Sequence, residues 1–382
     1  MINVFQPSLG DEELAALQRV FADNWLGHGE RTKQFEAEFA AHIGVPAEHV
    51  VYISSGTAGL YLATEALGLG PADDVVLPSI SFVGAANAIA VTGARPVFCD
   101  VDPRSLNPSV ADIERALTPR TKAVMVLHYG GHPGAIVEIA ALCRDRGIAL
   151  VEDTACAVMS SVDGVGCGSF GDLAMWSFDS MKILVTGDGG MLYVRDPETA
   201  QRMHRLAYHG LAKPSGFAAS TGVPHRWWEL DVRDFGRRVV GNDMTAAIGR
   251  VQLSRLPEFV ARRREIAATY DRLLADQDDI RLPPRLPDGH VSSHYFYWVQ
   301  LPPDIRDQVA RDLLDRGIYT TFRYAPLHKV SAYASGAVLP GADEASDATL
   351  LLPMHQSLDD ADITTVAEEL GKAVANRRVR LT

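Results

Sequence analysis

"KAVMVLHYGGHPGAIVEIAALCRDRGIALVEDTA" (122–155) decides the fold class. Its two ends, KAVMVLH (122–128) and IALVED (148–153), are continuous apolar runs, and AIVEIAALCRDRG (135–147) between them has helical character. A strand buried on both faces reads as an unbroken apolar run, and strands alternating with helices pair in parallel. The same alternation extends outward. Strands are expected at HVVYI (49–53), VVLPS (75–79), RPVFCDVD (95–102), LAMWSF (173–178) and MLYVR (191–195). Helices are expected at DEELAALQRVFADN (11–24), TAGLYLATEALG (57–68) and FVGAANAIAVTG (82–93). This is an α/β domain around a mostly parallel central sheet.

Past about residue 245 the texture changes. A helical pattern runs from TAAIGRVQL into EFVARRREIAATYDRLLAD, expected to bend or break at Pro257. Then follow HYFYWVQL (294–301), a helix IRDQVARDLLDRG (305–317), IYTTFRY (318–324) and a last helix near 359–376. A smaller α+β domain over 246–382 is expected after a large one over 1–245, since 382 residues exceed what one core fills. The segment 211–235 is rich in Gly, Pro and Ser and lacks periodicity, as a functional or mobile loop would.

Composition narrows the function classes. Hydrophobic residues make up 47% and charged ones 22%, as in ordinary soluble globular proteins. A formal charge of −12 argues against a general binder of nucleic acid or membrane surface, both of which are anionic. MINVFQPSLGDEE at the start shows no signal-peptide pattern, and no apolar run approaches the ~18 residues of a membrane helix. Cys99, Cys143, Cys156 and Cys167 form no CxxC pair, so reduced thiols in a cytoplasm are expected.

Ligands of open parallel sheets bind beyond the carboxyl ends of the strands, so residues just after apolar runs are the ones to inspect. SSGTAGL (54–60) is one such place: Gly56 permits close backbone approach, Thr57 offers a hydroxyl, and the helix that follows presents free N–H groups to an anion. The same pattern also describes a plain helix N-cap. In VEDTA (151–155), Asp153 can hold a cation, a ribose hydroxyl or a protonated ring nitrogen, or it can cap the next segment. In WSFDSMKILVTGDGGMLYV (176–194), Lys182 stands between a strand and a glycine-rich turn, flanked by Met181 and Ile183. An amine nucleophile must be drawn toward its neutral form, and apolar surroundings should do that here. Together, an anion cradle, a strand-end acid and a lysine match what pyridoxal phosphate requires: a phosphate site, a carboxylate facing the pyridine nitrogen and a Schiff-base lysine.

At these residues the chain resembles the DegT/DnrJ/EryC1/StrS family of sugar aminotransferases, which share the type I aspartate-aminotransferase fold. WLGHGERTKQFEAEFA (25–40), SSGTAGL, LPSISFVGAANAIAVTGARPVFCDVD (77–102), LHYGGHPG (127–134), VEDTACA (151–157), SFDSMKILVTGDGGM (177–191), YAPLH (324–328) and LPMHQSLDDADI (352–363) follow in the family's order. The resemblance implies that Lys182 bonds the cofactor and moves the substrate proton, and that Asp153 pairs with the pyridinium. It implies that Gly56, Thr57, Ala58 and Ser177 form the phosphate site and that Phe82 covers the ring. The partners implied are an amino-acid donor (glutamate foremost), a nucleotide-linked keto-deoxysugar and a second copy of the chain in a homodimer with shared active sites. VTGDGG after the lysine leans toward the branch aminating C4 over that aminating C3. Amination of a free cyclitol ketone, a pyridoxamine-dependent reductive or dehydrating reaction, and a cofactor-binding regulator without turnover are the rivals.

Departures from the family pattern matter. Cys156 stands where Gln or His usually faces the cofactor's phenolic oxygen, and it is a poor hydrogen-bond donor. In FGRRVVGNDMTAAIG (235–249), Arg238 aligns with the asparagine that reaches the partner's phosphate, with Asn242 as its rival. SFDS replaces Ser-Phe-His, and retention of Lys182 disfavours the dehydratase branch. His328 in YAPLH is a candidate substrate contact. His128 and His132 have a metal-like spacing but lie across a non-helical HYGGHPG, so no metal site is expected. The glycines of 66–70 precede a strand and form no dinucleotide loop. Trp227 and Trp228 suit a base or a subunit contact, and NRRVR (376–380) reads as a solvated tail.

Overall fold

A computed structural model of the chain describes residues 1–212, 222 and 225–379; much of the 211–235 loop therefore lies outside the described residues. The chain opens with α1 (Asp11–Ala22) and α2 (Glu30–Ile43). Alternating elements follow: β1 (Val50–Ile53), α3 (Gly56–Ala66), β2 (Asp74–Pro78), α4 (Val83–Ala90), β3 (Arg95–Cys99), α5 (Val110–Ala116), β4 (Thr121–Leu127), α6 (Ile136–Arg146) and β5 (Ala149–Asp153). A short hairpin, β6 (Ser161–Val162) and β7 (Val165–Gly166), leads to β8 (Leu173–Ser177), β9 (Gly190–Val194) and α7 (Pro197–Ala207).

The central sheet has seven strands in the order β1-β9-β8-β5-β4-β2-β3. Pairings among β3, β2, β4, β5 and β8 are parallel, as expected from the intervening helices. β9 runs antiparallel to both neighbours, β8 and β1, because a turn without a helix joins β8 to β9. Every residue of β1, β2 and β9 is buried, which is why these strands, apart from Asp74 at the start of β2, read as apolar runs.

The second half begins with α8 (Asp243–Leu274), a single helix of 32 residues that passes through Pro257 unbroken. Proline removes one ladder hydrogen bond, but Leu256, Phe259 and Val260 around it are buried against the large core, and that packing holds the helix together. Next come β10 (His290–Val291), β11 (Tyr297–Gln300), α9 (Pro303–Asp315), α10 (Pro340–Ala348), β12 (Thr349–Leu352) and α11 (Asp360–Val379). β11 and β12 pair antiparallel under a separate apolar cluster that includes Ile266, Tyr270, Leu313 and Leu370. The run at 318–324 forms only isolated bridges, Ile2 to Ile318 and Thr321 to Leu351. The basic end is not a free tail either: residues up to 379 continue α11, and Arg377 pairs with Asp312 of α9. Among the described residues no helix is long and apolar enough to cross a membrane.

Candidate active site

The carboxyl ends of β4, β5 and β8 carry Leu127, Asp153 and Ser177 to one cavity of about 340 Å³. Ser55, Gly56 and Thr57 at the start of α3 close one side, and Lys182 enters from the turn after β8. Thus the strand ends singled out in the sequence meet at one place.

The helix cap is formed, and the start of α3 stays open to the cavity beside it. The Ser55 hydroxyl accepts the Ala58 N–H at 3.1 Å, so Ala58 is committed to the cap and does not line the cavity, contrary to expectation. Gly56 and Thr57 remain in the first turn, where N–H groups lack intrahelical partners and the dipole is positive. At Gly56 a Cβ would stand 2.7 Å from the Ser177 Cβ and 3.0 Å from its hydroxyl. Any side chain there would fill the space between helix and strand that an anion needs.

Asp153 is 1% exposed, and one carboxylate oxygen accepts the Ala155 N–H at 3.0 Å. Burial raises its pKa, while the Ala155 bond and the Lys182 charge oppose the rise. A buried carboxylate at a strand end with acceptor capacity to spare suits a protonated ring nitrogen.

Lys182 is held by its turn. Its N–H donates to the Asp179 carbonyl at 2.9 Å, the Met181 N–H donates to the Asp179 carboxylate at 3.0 Å, and Ile183, Leu184 and Val185 are buried behind it. Gly187, at φ +93°, lets the chain double back toward β9. The ammonium lies 4.6 Å from the ring centroid of Tyr295. Burial works to lower its pKa, but Tyr295, Cys156 and Asp153 outweigh burial and hold it above its ordinary value. Desolvation thus acts on Lys182 in the expected direction, and the groups around the nitrogen oppose it.

Phe82 is 40% exposed and lines the cavity beside Tyr324, with ring centroids 5.7 Å apart. Cys156 is fully buried close to Lys182 and Tyr324, with its thiol pushed up to about 11 by burial. Tyr295, Arg323 and Tyr324 also line the cavity and were not expected. Two other candidates are not brought here. The Nδ1 of His328 is 2.7 Å from the Ser79 hydroxyl and its Nε2 lies 3.4 Å from Asp343, so it joins two segments away from the cavity. Arg238 packs its guanidinium 5.5 Å from the Tyr208 ring centroid, and Asn242 caps α8 through Thr245 at 3.0 Å; neither lines the cavity of its own chain. His128 and His132 are bound within the protein, His128 to Glu152 and His132 to the Gly134 N–H. Trp227 and Trp228 are both exposed and pack edge to face on one another.

The model of the DegT/DnrJ/EryC1/StrS aminotransferase family matches residues 7–371. The chain belongs to this family. This aminotransferase is 64% identical over 374 residues to a dTDP-4-dehydro-2,3,6-trideoxy-D-glucose 4-aminotransferase of Saccharopolyspora spinosa, covering 98% of this chain and 97% of that one. Its structure matches the aminotransferase TlmJ from Streptoalloteichus hindustanus with a TM-score of 0.95 and 60% identity, over 99% of this chain and 100% of that one. Spr1654 from Streptococcus pneumoniae, solved in a PLP form, is 23% identical and shares the fold at a TM-score of 0.87 over 98% of both chains. The type I fold expected from the sequence is therefore the fold of this aminotransferase.

Proposed function

We propose that this aminotransferase holds pyridoxal 5′-phosphate on Lys182 and transfers an amino group from an amino acid, glutamate foremost, to the C4 ketone of a dTDP-linked keto-deoxysugar. The juxtaposition of Lys182, Asp153 and the start of α3 in one cavity carries the reaction class. The near full-length similarity to a 4-aminotransferase of a dTDP sugar supports the acceptor and the carbon.

The residues present fit the cofactor. Gly56, Thr57 and Ser177 would hold the phosphate, with the helix dipole favouring its charge. Asp153 would stay ionised against a ring N–H, and Phe82 would cover a ring face. When bound, the cofactor supplies a ring that delocalises the negative charge left on a carbon losing its proton. Lys182 then moves that proton between carbon centres, kept in place by Tyr295 and flanked by half-buried Tyr324. Asp153 also bears on Lys182 itself. Pairing its charge with a ring nitrogen withdraws one of the groups that hold the ammonium above its ordinary pKa.

The same reading extends to a homodimer in which Arg238, or its rival Asn242, reaches the phosphate site of the other subunit. Exposed Trp228, Leu230 and Phe235 adjoin that segment and supply apolar area for a contact.

The test is a reaction of the purified protein with pyridoxal phosphate, amine-labelled glutamate and dTDP-4-dehydro-2,3,6-trideoxy-D-glucose. The expected product carries the label at C4. Label at C3, label on a free cyclitol, or a sugar that loses oxygen without gaining nitrogen would each replace this reading with one of its rivals.

A further inference from the structure

Arg323 lines the same cavity as Lys182 and has no part in the chemistry described so far. Its guanidinium lies over the Phe5 ring at 4.9 Å from the centroid, and its Nη2 reaches the Met181 sulfur at 3.4 Å. A thioether is a weak acceptor, and an aromatic face compensates a cation only partly. Asp153, Asp179 and Asp188 line the cavity too, yet among the described residues no ion pair joins any of them to Arg323. Arg263, which is fully buried, is differently placed: it donates to the carbonyls of His294 and Met354 at 3.0 Å each, whereas Arg323 is half-buried. Arg323 is thus a cation in an aromatic-lined cavity with its forked donors unspent. Such a group is costly to desolvate unless an anion meets it, and its geometry matches a carboxylate or phosphate bidentately.

The reaction brings anionic groups of three kinds to the cavity. The cofactor's phosphate belongs to the start of α3. The diphosphate of a sugar nucleotide is separated from C4 by the width of the pyranose ring. The α-carboxylate of the amino donor is bonded to the very carbon that carries the reacting nitrogen. Position favours the last. Met181, which touches Arg323, precedes Lys182 in the chain, and the ring that carries the guanidinium, Phe5, stacks at 5.8 Å on Tyr295, the ring that carries the ammonium. The two cations therefore flank one aromatic pair.

We propose that Arg323 binds the α-carboxylate of the amino-acid donor. The proposal rests on the aminotransferase reading and not on which sugar accepts the nitrogen. It makes Arg323 a determinant of donor recognition, acting in one half-reaction only.

The two half-reactions are measured apart on the cofactor-loaded protein, for wild type, R323Q and R323K. The donor half is followed by bleaching of the cofactor with L-glutamate and, separately, with its α-amide, L-isoglutamine. The acceptor half starts from the aminated protein and the dTDP ketosugar. Glutarate binding by calorimetry gives an equilibrium readout independent of turnover. The expected result is that R323Q weakens L-glutamate and glutarate on the order of tenfold to a hundredfold, that R323K recovers part of this, and that the preference for glutamate over isoglutamine collapses in R323Q. The acceptor half-reaction stays within about twofold, because its ligand does not meet Arg323 in the proposed arrangement. Unchanged glutamate and glutarate affinity would overturn the proposal. So would a loss confined to the acceptor half, which would place the sugar nucleotide's diphosphate on Arg323, and so would a wild type indifferent to the α-amide. A wild type that bleaches with glutamate but ignores the dTDP sugar would sink the acceptor assignment alone and leave the Arg323 test intact.

Discussion

Glu152 and Asp153 are consecutive carboxylates on β5, both buried, and they lead opposite lives. Alternation along the strand sends them to opposite faces of the sheet. Glu152 accepts from the Gly168, Phe170 and Gly171 N–H groups at 2.7, 2.8 and 2.6 Å, and its Oε2 stands 2.9 Å from the His128 Nε2. Its acceptor capacity is spent inside the protein. Asp153 takes one local bond, from Ala155, and turns the rest toward the cavity. Burial of a carboxylate therefore does not mark chemistry by itself; the unspent capacity does.

The largest effect expected on this contrast comes from the cavity side. Lys182→Ala should remove turnover to background while leaving the folded spectrum intact, since the nitrogen is the group that carries the reaction. Asp153→Asn should lower kcat on the order of 10²–10³-fold, the usual scale for losing one oriented electrostatic partner, with little change in melting temperature. Glu152→Gln should do the reverse. Its new amide N–H group would face backbone N–H donors and leave a buried His128 without its carboxylate, at a cost of about 3–5 kcal/mol in urea unfolding. Activity per folded molecule should change far less than in Asp153→Asn. If the two variants trade signatures, the distinction between spent and unspent acceptors fails.

Lys182, Asp153 and the start of α3 were legible because each follows a continuous apolar run, and the sheet topology alone brings such positions together. The remainder of the site had no such signal. Tyr295 and Arg323 come from the second half of the chain, and nothing near them in sequence records that they will meet Lys182. Their place depends on how the cluster around Ile266 and Leu370 packs beside the large sheet. His328 misled for a related reason: its motif is local, while its actual partner, Ser79, is 249 residues away. IYTTFRY has the β-branched and aromatic residues of a strand, but propensity describes a half-buried pleated surface and does not supply a partner strand. TLLL, which does pair as β12, is four residues long, too short for its period to speak.

The cradle can be broken by one methyl group. In Gly56→Ala the added carbon meets Ser177 and the Met175 sulfur, at 2.7 and 2.9 Å before any adjustment. Overpacking of this kind costs about 1–3 kcal/mol. Here it should appear chiefly as weaker cofactor retention, roughly tenfold in the affinity of the apoprotein for pyridoxal phosphate by fluorescence titration. Retention at the wild-type level would mean that the phosphate does not sit between α3 and Ser177.

The smallest effect sharpens the same contrast among histidines. His128 and His132 belong to one turn, and only His128 has a carboxylate. Burial pulls His128 down, but Cys167 and Glu152 hold it well above its ordinary value, so the folded chain keeps that proton. Its contribution is present below the unfolded value and is lost as pH rises through the folded one. His132 is pushed down to about 4, first by burial and then by neighbouring histidines, as burial alone first does to His294 and His355. Between about pH 4 and 6.5 the unfolded chain binds more protons at these three residues, so their contribution to stability falls as pH falls. Glu36, raised to about 7 by burial, opposes them: ionised burial is relieved as pH drops from 7 toward its ordinary 4.5. Each of the three histidines contributes acid sensitivity on the order of 1–2 kcal/mol at pH 5. His132 also has a geometric reason to resist a second proton, since its Nδ1 accepts the Gly134 N–H at 2.8 Å. His132→Asn keeps an acceptor that cannot ionise. Urea unfolding at pH 7.5 and pH 5 should show that variant losing about 1–2 kcal/mol less than wild type on acidification; an identical loss would mean that His132 is not the group that charges.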